Sequence, residues 1–259
     1  MSGSYFDQLY GCFIENQYLL EAATKPDIAT MLDVGCATAP AYRYLKRNGL
    51  NGKVKYLGLD LSGPAVTRAQ SIHPEARFEV TAGDPLVSKF PERFDLVYSR
   101  DTVLHQESPY TFLDDLLAVT GKVLILRLRT RDTGETCFDV ESSCQFHYEQ
   151  FWMPYIVLNI DELLDNLKGN ERVRKIRFNR SYEVLGGNNQ RFLPKNLYES
   201  ATGGAETSLM IELGEPVADD FCEVIVDNVL EGHNWLRGHK WRLRFLSLRD
   251  RLLRPFTGK

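Results

Sequence analysis

Apolar runs and turn residues alternate along the first half of the chain, and the runs are short. Residues 29–35 form an apolar stretch that ends on Gly35, the pattern of a buried parallel strand. The following ATAPAYRYLKRNG places Tyr42 and Leu45 at helical spacing, with Pro40 suited to a first turn and Gly49 as a stop. YLGLD (56–60) predicts a second strand, and residues 63–73 a second helix closed by Pro74. RFEVTAGD (77–84) alternates as a third strand, and FDLVYS (94–99) is the fourth, ahead of a helix around Pro109–Val119. GKVLILRLR (121–129) is the fifth and most apolar strand. A helix is expected over 161–169, with Asn159 and Glu162 spaced as a capping box and Gly169 as its exit. Residues 172–184 and 207–213 supply two later strands with no helical pattern between them. The order predicts an α/β fold built on a doubly wound sheet.

Three stretches interrupt the repeat. Residues 1–28 are rich in Tyr and Phe and precede the first strand, and residues 130–158 contain FHYEQFWMPY. Residues 185–206 contain Gly186-Gly187-Asn188-Asn189 and Gly203-Gly204. Long loops in compact domains are commonly functional, and the aromatic content of the first two favours packed lids. The expected organisation is an N-terminal helical lid (1–28), a main domain (29–216) with insertions at 130–158 and 185–206, and a C-terminal extension (217–259).

Composition refines this picture only modestly. With 43% hydrophobic and 25% charged residues, the 259-residue chain is neither disordered nor collagen-like. No apolar stretch reaches the roughly 18 residues of a membrane-spanning helix, and the first residues lack the basic-then-apolar pattern of a secretory signal. Five scattered cysteines without a C-x-x-C pair predict a reduced, cytoplasmic protein. Charge is uneven: residues 237–259 hold eight Lys/Arg against Asp250 alone, so the tail carries +7 and the remaining body −11. An acidic body argues against a nucleic-acid cradle. In the tail, Trp241, Phe245, Leu248 and Leu252 share a helical stripe, with Lys240, Arg244 and Arg251 largely opposite. Two readings stay open for it: peripheral contact with an anionic membrane surface, and docking on its own domain or a partner subunit.

The strand ends carry the candidate chemistry, because ligands of open α/β sheets bind outside the carboxyl ends of the strands. The first strand delivers Asp33, Gly35, Cys36 and Ala37; the second ends at Asp60-Leu61; the third at Gly83-Asp84-Pro85; the fourth at Ser99-Arg100. Small residues let backbone approach a ligand closely. An ionised carboxylate such as Asp60 can accept from both hydroxyls of a ribose, and Asp84 is placed to accept from an adenine amino group. A nicotinamide-dinucleotide reading needs G-x-G-x-x-G, whereas Gly35 opens G-C-A-T-A-P.

These segments resemble the class I S-adenosylmethionine-dependent methyltransferases, small-molecule group. MLDVGCATAP is similar to that family's first motif, YLGLDLS to the second-strand motif with its ribose acid, TAGDPL to the adenine-side motif, and FDLVYSRDTVLHQ to the fourth-strand motif. The resemblance implies a Rossmann-like, mainly parallel seven-stranded sheet with the last strand antiparallel, and S-adenosylmethionine as cofactor. It implies that Asp33 orients the turn and the amino-acid portion of the ligand. One departure stands out: the family's second and third glycines are Ala37 and Ala39, and alanine adopts positive φ at a cost of about 1 kcal/mol.

The sulfonium methyl is already electrophilic, so the protein has chiefly to align an acceptor and exclude water. His105, after the fourth strand, lies where the family places acceptor-facing residues and is the first candidate base. His147 on the aromatic insertion, with Tyr148 and Glu149, is the second. Arg100 suits an anionic substrate or a salt bridge. Cys144-x-x-His147 has no matching ligand pair, so no metal is expected. Absence of an N/D-P-P-Y, of a Pro-Cys pair and of a paired-glutamate loop leaves a small-molecule or glycan hydroxyl or amine as acceptor. The alternative is a catalytically silent cofactor-binding partner protein, motivated by Ala37 and Ala39. Oligomeric state is not legible.

Overall fold

The computed structural model describes residues 10–11, 13–136, 138, 145–148, 151–181, 205–215 and 222–227. In chain order these form α1 (Ile14–Thr24), β1 (Thr30–Val34), α2 (Pro40–Arg47), β2 (Lys55–Asp60), α3 (Gly63–Ile72), β3 (Arg77–Val80), α4 (Leu86–Lys89) and β4 (Phe94–Arg100). A 3-10 turn (Val103–His105), α5 (Pro109–Val119), β5 (Thr120–Arg131), β6 (Gln145–Tyr148), β7 (Phe151–Pro154), β8 (Leu158–Asn159), α6 (Ile160–Lys168), β9 (Val173–Ser181), β10 (Ala205–Leu213) and β11 (Glu223–Val226) follow.

The main sheet runs β3-β2-β1-β4-β5-β10-β9-β11, with β8 beside β5. Strands β1 to β5 pair in parallel, while β10 is antiparallel to both β5 and β9. This is the expected mainly parallel sheet with its last core strand reversed. Two strands exceed the seven expected: the two-residue β8 and the edge strand β11, which lies parallel to β9. Strand order reverses between β1 and β4, and open α/β sheets bind their ligands in the crevice at the carboxyl ends of such a switch point.

Side-chain alternation divides the core into two layers. Leu32, Val97, Leu124, Leu126 and Leu209 face α5 and α6. Met31, Leu96, Tyr98, Ile125 and Met210 face α1, α2 and α3. Helix α1 buries Ile14, Tyr18, Leu19, Ala22 and Ala23 against that second face.

Three local differences from the sequence pattern have physical causes. The third strand stops at Val80 rather than running to 84, because Gly83 takes φ +89 and turns the chain away. The 130–158 insertion is not one loop: β5 runs on to Arg131, and β6 and β7 form a separate two-stranded hairpin. The capping box at α6 is half made. Asn159 accepts from the Asp161 and Glu162 amides at 2.9 and 3.1 Å, but its own amide is taken by Thr136 Oγ1 at 2.8 Å rather than by Glu162. Among the described residues no helix is long and apolar enough to cross a membrane. The Gly-rich 185–204, Glu149 and the basic tail 237–259 lie outside the described residues.

Candidate functional site

The turn after β1 is built from backbone. The amides of Gly35 and Cys36 both donate to the Leu59 carbonyl, at 2.8 and 2.9 Å, which ties the turn to the end of β2. Gly35 takes φ +80, and a Cβ there would lie 2.2 Å from Thr102 Oγ1. Only glycine fits. Ala37 and Ala39 take φ +46 and +61, so both alanines occupy the left-handed conformation that their Cβ disfavours. Ala39 is fully buried and precedes Pro40 at the start of α2, whereas the Ala37 methyl is exposed.

Asp60 closes the turn from β2. Its Oδ2 accepts from the Ala37 amide and its Oδ1 from the Ser62 amide, both at 2.8 Å. Each oxygen keeps a further lone pair, and the residue is only half-buried, so a diol can still be received. Leu61 beside it is 65% exposed, an apolar surface for a flat ring, and Gly83, Asp84 and Pro85 are exposed along the same edge.

Asp33 lies beneath this turn, fully enclosed. Burial pushes its carboxyl up to about 7, and the nearby Asp60 charge adds to the rise. The Tyr56 hydroxyl, donating at 2.5 Å, and the more distant Arg100 pull it back only in part. The Cys36 thiol is pushed up by burial and by the two carboxylates. Raised and buried, it is a filler of the turn and not a nucleophile.

His105 ends the 3-10 turn after β4 and lies, half-buried, in an open cleft of about 590 Å³ shared with Gly83, Pro85, Gln106 and Pro154. Its Nδ1 is 2.8 Å from the Pro154 carbonyl, an acceptor only, so Nδ1 carries the proton and Nε2 the lone pair in the neutral ring. The Tyr155 ring meets His105 edge-on at 5.7 Å, and the Ile156 amide donates to the Leu104 carbonyl. The 153–157 segment therefore backs His105. His147 lies on β6, opposite Trp152 in the hairpin register, and its side chain is outside the described residues. Ser99 is fully buried, and its neighbour Arg100 turns to a different layer.

That layer, under α1, was not legible as a site in the sequence. Arg100 Nε lies 2.9 Å from Glu15 Oε1, and its guanidinium stacks on Phe13 and Tyr10 at 4.8 and 5.3 Å. Arg127 reaches Asp101 at 2.9 Å, Glu15 at 3.8 Å, and Glu206. Arg129 faces Glu206 at 3.4 Å and Asp101 at 3.8 Å, and donates to Tyr155 Oη at 3.0 Å. Asp101 itself takes φ +57, a strained conformation of the sort that gathers at functional sites. Arg127 and Arg129 sit in the most apolar strand of the chain, and a charge in such a strand must find buried partners. That was the available signal. Among the described residues no group of His, Cys, Asp and Glu is arranged to hold a metal.

Residues 32–122 match the family model described as a methyltransferase domain. No curated protein matches the chain by sequence. Among solved structures, the N-terminal domain of EvdMO1 with S-adenosylhomocysteine bound superposes with a TM-score of 0.55 at 14% identity, covering 77% of this chain and 81% of that one. The O-methyltransferase of a trans-AT polyketide synthase multienzyme of Brevibacillus brevis, in complex with S-adenosyl-L-homocysteine, gives 0.56 at 12% identity, covering 77% and 72%. The cyclase SpnF gives 0.51 at 15% identity, covering 78% and 81%, so this fold also hosts other chemistry. Residues 32–122 thus match a methyltransferase domain by sequence, and the fold around them is shared with S-adenosylhomocysteine-bound methyltransferase structures.

Proposed function

We propose that the chain transfers a methyl group from S-adenosylmethionine to a hydroxyl or amine of a small molecule, a sugar or other natural-product scaffold. The observation that carries this reading is the single cleft in which Gly83 and Pro85, on the adenine side, share a wall with His105. The residues fit the cofactor. Gly35 leaves a cradle that a Cβ would fill, Asp60 offers a half-exposed carboxylate anchored by two amides, and Leu61 presents an exposed apolar side chain. When bound, the cofactor supplies an electrophilic methyl on a sulfonium. Asp60 would receive the ribose hydroxyls, Asp84 the adenine amino group, and Asp33 the amino-acid end.

His105 is the base in this reading. With Nδ1–H held by the Pro154 carbonyl, Nε2 would take the proton of an acceptor hydroxyl aligned with the cofactor's methyl group. An uncharged amine acceptor needs only alignment at the same place. Structures that share the fold include EvdMO1 with S-adenosylhomocysteine and D-fucose present, and the plantazolicin methyltransferase BamL with a desmethyl substrate analogue. These support a small-molecule acceptor.

Titration calorimetry with S-adenosylmethionine and S-adenosylhomocysteine tests the reading, repeated on Asp60→Ala. Micromolar binding that the variant loses by ~100-fold supports it, the cost expected for a lost charge-assisted contact. Absence of binding to the native chain would reduce the likeness to one of fold. Binding without turnover across a panel of hydroxylated and amino acceptors would favour the silent partner protein.

A further inference from the structure

The charged layer under α1 contains more than a fold requires. Three guanidinium groups, Arg100, Arg127 and Arg129, meet three carboxylates, Glu15, Asp101 and Glu206. Asp101 follows β4 directly and Glu206 lies on β10, so strand pairing carries both, and both reach Arg127 and Arg129. Glu15 differs. It comes from another layer, in the first turn of α1, whose N-cap Phe13 supplies no side-chain cap. It is 1% exposed, and its partners are Arg100, Arg127 and the Ser208 hydroxyl at 3.1 Å.

We infer that Arg100 and Arg127 form an acceptor subsite for a carboxylate or phosphate group, and that the Glu15 carboxylate fills it until such an acceptor arrives. The inference rests on the methyltransferase reading above and narrows its substrate to an acidic small molecule. The subsite is at the carboxyl end of β4, where Arg100 pairs with Arg127 of β5, near the edge that also carries the turn after β1. It is linked to His105 through the same layer: Asp101 and Glu206 bridge Arg127 to Arg129, and Tyr155 accepts from Arg129 and packs its ring against the imidazole. The Phe13 ring lies between the Arg100 and Arg127 guanidiniums, at 4.8 and 5.1 Å, and would leave with Glu15.

Charge counting makes this an exchange. With Glu15 present the layer is neutral. With Glu15 withdrawn it holds one uncompensated buried cation, a costly state. An arriving anion restores neutrality, so the swap trades one ion pair for another and frees the Tyr10–Glu15 segment from the strand ends. A neutral acceptor cannot make that trade. No covalent step is involved.

The test uses the full chain as Glu15→Gln and as the charge-balanced Glu15→Gln/Arg100→Gln. Melting temperatures are read in sodium chloride, sodium benzoate and sodium phosphate at matched ionic strength, with and without S-adenosylhomocysteine. In chloride, Glu15→Gln should melt roughly 6 °C or more below the native chain. Benzoate or phosphate at roughly 50 mM should return at least half of that loss, and whichever does so names the acceptor's acid. The double variant should melt closer to the native chain and ignore both anions. A Glu15→Gln chain that neither anion rescues, or that responds no more than the double variant, overturns the proposal and leaves a structural network. Should Glu15→Gln not fold, Glu15→Asp, with its carboxylate drawn back by one methylene, carries the same comparison. Anion rescue without S-adenosylhomocysteine binding would retain the subsite and sink the methyltransferase reading; binding without rescue would do the reverse.

Discussion

Two regions at the same sheet edge are built on opposite principles. The cofactor turn spans residues 33–39 and leans on Asp60; its ligating groups are backbone amides and lightly covered carboxylates, and its small residues leave room. The layer under α1 is assembled from residues 15, 100, 101, 127, 129 and 206, four of them buried and Arg100 and Asp101 half-buried, with each charge answered by another. Damage to the turn abolishes binding first and costs the fold less than damage to the charged layer. The charged layer cannot be touched without destabilising it, because each partner removed strands an opposite charge in low dielectric.

Arg127→Met should give the largest effect. It strips cations from Asp101, Glu206 and Glu15 at once, and breaking a buried network of this kind costs about 3–5 kcal/mol. Urea denaturation reads the loss, and any S-adenosylhomocysteine affinity measured on the surviving folded fraction should be near native. A loss below 1 kcal/mol would mean the layer is far more solvated than its geometry indicates. Gly35→Ala should come next and act in the reverse sense. Its Cβ meets Thr102 Oγ1 at 2.2 Å and its φ is +80, so strain and overpacking together cost about 2–4 kcal/mol. Here cofactor binding should vanish in calorimetry, and Thr102→Ala should recover part of the stability but not the binding.

The same contrast explains what could be read in advance. The turn was legible because its geometry is local: D-V-G-C-A-T-A is contiguous, and each strand end repeats the apolar-run-then-small-residue pattern. Helices α2, α3, α5 and α6 were legible for the same reason, from caps and spacing. The charged layer was not, because nothing local joins Glu15 to Arg100 or Arg127 to Glu206; β10 laid antiparallel beside β5 brings the second pair together, and α1 packed on the sheet brings the first. Arg100 was read as a strand-end residue for the cofactor, an anionic substrate or a salt bridge, and its observed partner is Glu15 of that layer. Strand β11 was missed because its apolar run is only three residues, Val224, Ile225 and Val226, on a largely exposed edge.

Asp33 stands between the two regions, in the turn yet influenced by Arg100. Because burial holds its carboxyl near 7 in the fold against 3.8 as the ordinary value, the folded state keeps a proton that the unfolded chain releases. Stability of the ligand-free protein should therefore fall as pH rises from about 4 to about 7. Asp33→Asn removes that dependence: it should match the native chain near pH 4 and exceed it at pH 8, by an amount on the order of 4 kcal/mol. Paired denaturation curves at the two pH values decide this, and equal gains at both would place the carboxyl pKa near its ordinary range. Native-chain calorimetry at pH 6 in two buffers of different ionisation enthalpy should show proton release on S-adenosylhomocysteine binding, as the ligand's ammonium draws the carboxylate into its charged form.

The smallest effect concerns Ala37, the residue by which this turn departs most visibly from the family pattern it resembles. Its φ of +46 is carried by an exposed alanine, so Ala37→Gly relieves left-handed strain without opening a cavity, which Ala39→Gly would do because Ala39 is fully buried. The gain is limited by the extra freedom glycine has in the unfolded chain, and the net change should be about 0.5–1 kcal/mol in favour of the fold. The Ala37 amide donates to Asp60 Oδ2, and glycine preserves that bond while removing the methyl from the ligand's approach. Binding of S-adenosylhomocysteine should therefore tighten by a factor of about two to five, a fraction of the tenfold that 1.4 kcal/mol represents. A weaker affinity would mean that the methyl packs on the ligand, and that the departure at Ala37 is part of how this turn holds its cofactor rather than a tolerated strain.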